Sequence, residues 1–66
     1  MALIEKIANN IEKRRGSTSV DKLSKLANIP FTTLMNIKRK QVNDVRVSTL
    51  LAIANALKCK MDDLVQ

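Results

Sequence analysis

The chain has 66 residues, 45% of them apolar, with one Gly, one Pro and one Phe as its only aromatic side chain. That length supports a single core, and the composition excludes both a disordered chain and a strand-and-turn protein. Twelve Lys and Arg against six Asp and Glu leave a net charge of +6 and a pI near 10.0, which favours a polyanionic partner.

Helix formers dominate, and apolar spacing predicts helices in five places. The first runs over 2–15, with Ile4, Ile7, Ala8 and Ile11 in one stripe. Lys13, Arg14 and Arg15 occupy its last turn, where positive charge suits the helix dipole, and Gly16 ends it. Glu5 and Lys6 interrupt the apolar start, so it is no signal peptide, and no apolar run approaches membrane-spanning length. The expected setting is the cytoplasm.

Ser19 is a good N-cap for a second helix ending near Ala27, with Asp21 in its first turn and Leu23, Leu26 and Ala27 at helical spacing. Asn28-Ile29-Pro30 reads as a stop and a restart, since Asn tolerates the left-handed conformation and Pro suits a first helical turn. The third helix follows over 31–38, with Leu34 and Ile37 defining its buried side. Two helices this short cannot nucleate alone and must lean on each other and on a third. That layout is a helix-turn-helix, whose second helix enters the major groove of DNA.

Residues 39–45 form a polar connection. A fourth helix is predicted over 47–57, with Leu50, Leu51, Ile53, Ala54 and Leu57 nearly all buried. A last short helix covers 61–65, with Asp62 and Asp63 near its start. The expected fold is all-α: a compact five-helix domain spanning 1–66.

Opposite Leu34 and Ile37, the third helix gathers Thr32, Asn36 and Arg39, flanked by Thr33, Met35 and Lys40, on a face expected to be free of acids. Asn can bond adenine bidentately, and Thr can offer a hydroxyl or a methyl contact to thymine. Arg39 and Lys40, at the far end, suit phosphate. An ordinary solvated face has the same composition, and the surrounding motif decides for DNA. Phe31 supports two readings, packing on a thymine methyl or leaning back to cap the core, and Met35 is equally open. One aromatic residue cannot build the stacking platform of single-strand and RNA modules, so duplex DNA is the better polyanion.

Cys59 is single and there is no His, so neither an internal disulfide nor a metal site is expected, and Cys59 reads as core packing. No cofactor is implied. An enzyme needs converging acids, bases or nucleophiles, and none converge here. The first helix is amphipathic and ends in basic residues, but its stripe is needed for the core, which argues against membrane binding.

Several strings resemble the lambda-repressor-like, or Cro/CI-type (XRE), DNA-binding domain. They are Leu23-Ser24, Asn28-Ile29, Thr33-Leu34 and the run from Leu50 to Leu57 followed by Met61-Asp62-Asp63-Leu64. The likeness extends from Leu3 to Leu64. Four departures stand out, the first a segment from Gly16 to Ser19 one residue longer than the family's. Lys38-Arg39-Lys40 replaces the family's Glu-x-Gly, Val20 replaces a phosphate-contacting Gln, and Lys58 replaces a common Gly. The resemblance implies that Ser19 or a backbone N–H takes over the contact of the missing Gln. Arg46 completes the expected DNA contacts, with Ser19, Phe31, Thr32, Thr33, Met35, Asn36, Arg39 and Lys40. It also implies an ion pair with reversed signs. The family's first-helix Arg and third-helix Glu correspond to Glu12 and Lys38, and Lys38 falls on the wheel near Leu34.

The expected function is transcriptional regulation, as a repressor that occludes a promoter in the manner of Cro-like proteins, since 66 residues leave no room for an effector domain. The alternative is a protein-interaction module of the same fold, an antitoxin-like or anti-repressor partner. One short recognition helix gives little specificity, so a homodimer on a near-palindromic operator is expected, with half-sites roughly 34 Å apart. By resemblance its contact comes from the loop before the fourth helix and from Leu57 to Met61. A chain this small has little surface to spare, which is compatible with assembly only on DNA.

Overall fold

The computed structural model describes residues 3–66. It contains α1 (Leu3–Arg15), α2 (Val20–Ala27), α3 (Phe31–Lys38), α4 (Val47–Ala56) and α5 (Met61–Val65). Among the described residues there is no strand. Ala2, expected in the first helix, lies outside the described residues.

The helix ends show why the bounds agree so closely with the periodicity. Gly16, Asn28, Lys40 and Lys58, each just beyond a helix, are all left-handed, with φ of 54°, 56°, 60° and 57°. After α2, α3 and α4 the next N–H turns back to a carbonyl of the final turn: Ile29 to Ser24 at 3.0 Å, Gln41 to Asn36 at 2.9 Å and Cys59 to Ala54 at 2.9 Å. Gly is absent from all three of these positions. Lys40 and Lys58 therefore adopt a conformation costing a β-carbon-bearing residue about 1–2 kcal/mol. Neither replacement of the family's Gly moves a helix stop. Pro30 is the N-cap of α3, directly before the expected start, its carbonyl accepting the Leu34 N–H at 3.2 Å.

All five helices contribute to one core: Ile7 and Ile11, Leu23 and Ala27, Leu34 and Ile37, Leu50, Ile53 and Ala54, and Leu64. Burying an aliphatic side chain of this size contributes about 1.5–3 kcal/mol. The pair α2 and α3 is clasped between α1, which packs on α3 and α5, and α4, which packs on α2 and α5. That clasp fixes the turn and leaves the outer side of α3 to solvent.

Two apolar residues at helical spacing lie outside the core. The buried line of α2 runs through Leu23, Ser24 and Ala27, which turns Leu26 to the flank, 58% exposed. On α4 the line runs through Leu50, Ile53 and Ala54, and Leu51 is 47% exposed. A helix packed on one side covers only part of its apolar arc. Ser24 is buried instead, its hydroxyl donating to the Asp21 carbonyl at 2.6 Å, so no polar group is stranded.

The five-residue α5 is held by side chains from far along the chain. Asn10 Nδ2 donates to the carbonyls of Leu64 at 2.9 Å and Gln66 at 3.1 Å. Asp63 Oδ2 accepts the Lys60 N–H at 3.0 Å, and its Oδ1 stands 3.7 Å from Arg14 Nη2. Cys59 is half-buried against the core. Burial pushes its thiol up, Arg14 opposes that shift and Asp63 reinforces it. A raised thiol holds less thiolate, which suits packing better than reactivity. Among the described residues no helix is long and apolar enough to cross a membrane.

Candidate nucleic-acid interface

The interface is built around α3. Leu34 and Ile37 are almost wholly buried and anchor it, so the rest of the helix turns outward. Phe31, Thr32, Arg39 and Lys40 are exposed, and Thr33, Met35 and Asn36 are half-buried. Phe31, 43% exposed, stands outside the core cluster, so it does not cap the core. With Pro30 as N-cap, α3 begins without a side-chain acceptor, and its first N–H groups remain available to an anion.

Ser19 caps α2, its Oγ accepting the Lys22 N–H at 3.1 Å. It is exposed, and a hydroxyl that accepts still has its O–H to donate. The loop after α3 folds back to make an open groove lined by Thr33, Asn36, Val42, Asp44, Arg46 and Thr49. Arg46 thus joins Thr33 and Asn36 at one place, although ten residues of sequence separate it from Asn36. Asp44 comes with it, its Oδ1 accepting the Val45 N–H at 2.9 Å. The exposed face of α3 itself carries no acid, as expected. The loop brings one alongside.

Charge is distributed with a clear division. Lys38 Nζ lies 3.7 Å from Glu12 Oε1, turned toward α1. Glu12 Oε2 accepts from Arg15 Nε, and Arg15 Nη1 donates to the Thr18 carbonyl at 2.8 Å. Among the described residues Arg39, Lys40 and Arg46 make no ion pair, so their charge is directed to solvent. The Asp44 contact was not legible in the spacing, whereas Glu12 and Arg15 stand three apart on α1 and meet by helical spacing alone. Asp44 depends on how the loop after α3 returns.

Two short helices at a fixed turn, with a polar, cation-flanked second helix facing outward, define a helix-turn-helix DNA-binding domain. A family model for the Cro/C1-type helix-turn-helix DNA-binding domain matches residues 6–66. The chain belongs to that family. It is 31% identical over 71 residues to an HTH-type transcriptional regulator of Rickettsia prowazekii, covering 100% of this chain and 77% of the relative. A second such regulator, from Rickettsia conorii, is likewise 31% identical over 71 residues, covering 100% of this chain and 65% of the relative. No solved structure matches significantly. The chain is a DNA-binding transcriptional regulator of the Cro/C1 type.

Proposed function

We propose that the protein is a sequence-specific repressor that acts by occupying its operator. The observation that carries this reading is the division of charge on α3: Lys38 is engaged by Glu12, whereas among the described residues Arg39 and Lys40 at the helix end, and Arg46 beside it, have no carboxylate partner. The same helix carries Thr32, Thr33 and Asn36, side chains that hydrogen-bond base edges. In this reading α3 enters the major groove. Asn36 and the threonines read bases, Phe31 and Met35 offer apolar contact to thymine methyls, and Ser19, Arg39, Lys40 and Arg46 hold phosphates. Asp44 adds an acceptor for a cytosine amino group, or a repulsion against a phosphate out of register.

A two-fold dimer on a near-palindromic site accompanies this reading, because a single eight-residue α3 spans few base pairs. Leu57 and Met61 pack on the core, so the outer surface of that segment is mainly Lys58 and Lys60. Val47 and Leu51, one turn apart on α4 and 68% and 47% exposed, supply the apolar part of the contact with the second copy. Selection of bound duplexes from a random pool, followed by footprinting, tests the proposal. The expected result is a palindromic consensus with half-sites about one helical turn apart and two proteins per duplex. Occupancy of one half-site at saturation refutes the dimer. Absence of salt-sensitive duplex binding refutes the whole reading and favours a protein-interaction module.

A further inference from the structure

We infer that Arg15 is a positioning residue for DNA reading, acting through Glu12 and the Thr18 carbonyl and touching no DNA itself. Its side chain is only 19% exposed, against 42% for its neighbour Arg14. The guanidinium uses two edges at once, Nε on Glu12 and Nη1 on the Thr18 carbonyl at 2.8 Å. A planar fork with two fixed donors sets a distance between its acceptors, which a single ammonium cannot do. Glu12 in turn presents its second oxygen to Lys38 at 3.7 Å. The result is a continuous path from the loop before α2, through the last turn of α1, to the last turn of α3.

The ends of that path are informative. Thr18 precedes Ser19, the cap of α2, and Lys38 precedes Arg39 and Lys40. These are the two places where the proposed phosphate contacts flank the reading face, so the inference rests on that proposal. Loosening either end changes the separation of the two phosphate clamps, and with it the depth at which Asn36 sits. Among the described residues Glu12 is the only carboxylate within ion-pair distance of Lys38. Its role is distinguishable from simple charge, because removing an acid from a cationic protein strengthens attraction to any duplex.

The test compares Glu12→Gln and Arg15→Lys with the natural chain on a duplex selected from a random pool and on its scrambled counterpart. Affinities are read by fluorescence anisotropy at a temperature where circular dichroism shows each protein fully folded. Glu12→Gln is expected to bind the scrambled duplex at least as tightly as the natural chain. Its preference for the selected duplex should fall about five- to tenfold, the size of coupling found within shared side-chain networks. Arg15→Lys, which conserves charge, should lose preference similarly, and this milder change decides alone if Glu12→Gln does not fold. Lys13→Ala, an exposed cation on the outer side of α1, should weaken both duplexes alike and leave the ratio intact. An unchanged ratio in a folded Arg15→Lys overturns the inference while leaving the DNA-reading proposal standing. No preference in the natural chain overturns both.

Discussion

Removing the two ends of the Glu12–Lys38 contact should have unequal effects on stability, and the inequality follows from the geometry. At 3.7 Å, with side-chain exposures of 34% for Glu12 and 39% for Lys38, the contact is a partly solvated ion pair. Such pairs contribute about 0.2–1 kcal/mol. Lys38→Ala leaves Glu12 still bonded to Arg15, so no charge is stranded, and a loss of about 0.5 kcal/mol is expected. Glu12→Ala withdraws the partner of both cations and leaves the less exposed Arg15 with only the Thr18 carbonyl. A hydrogen bond to a charged group contributes about 1.5–3 kcal/mol, so Glu12→Ala should cost about 1.5–2.5 kcal/mol after solvent compensates in part. In a domain this small each kcal/mol corresponds to about 4–8 °C in Tm, so the two variants are separable by calorimetry. The double variant should be about 0.5 kcal/mol more stable than the sum of the single losses implies. High salt should erase most of that coupling but less of the Arg15 contribution. A Lys38→Ala loss equal to or larger than that of Glu12→Ala, or strict additivity, would refute the shared-acid geometry.

Asn36→Ala should cost about 1–3 kcal/mol on the preferred duplex and little on a scrambled one, if Asn36 bonds a base bidentately. An unchanged ranking of duplexes in a binding selection counts against α3 as the reading element. Arg39→Ala should weaken all duplexes alike and lower the slope of log affinity against log salt by about 0.9, the value for one phosphate contact. Lys40→Gly should move stability and binding in opposite directions. Relief of the left-handed backbone, less the extra entropy of an unfolded Gly, raises stability by about 0.5–1 kcal/mol, while the lost cation weakens DNA binding. Lys58→Gly should give the same gain in Tm, and no gain in either variant would show that the left-handed turns carry little strain.

The bounds of the helices were legible in the sequence because their determinants are local. Ser19 caps α2 with its own hydroxyl, Asn28 tolerates φ of 56° and Gly16 of 54°, and Pro30 cannot continue a helix. The buried side of α3 was legible for a related reason, since 100° per residue places Leu34 and Ile37 together whatever surrounds them. Periodicity also placed Lys38 on the side of α3 nearest Leu34, where it meets Glu12. None of this required knowing the neighbours. What periodicity could not state is how wide an arc of each helix a neighbour covers. Leu26 and Leu51 sit on apolar arcs yet remain outside, because α2 and α4 are each covered over a narrower arc than their apolar residues span. The Asn10 bond to the Leu64 carbonyl joins residues 54 apart in sequence, and no local pattern marks it. The same holds for Asp44 beside Asn36, where a loop's return path selects the partner. Secondary structure here is written in short-range sterics and capping. The reading face and the contacts that position it exist only once five helices have closed on one core, because only then do residues far apart in sequence meet.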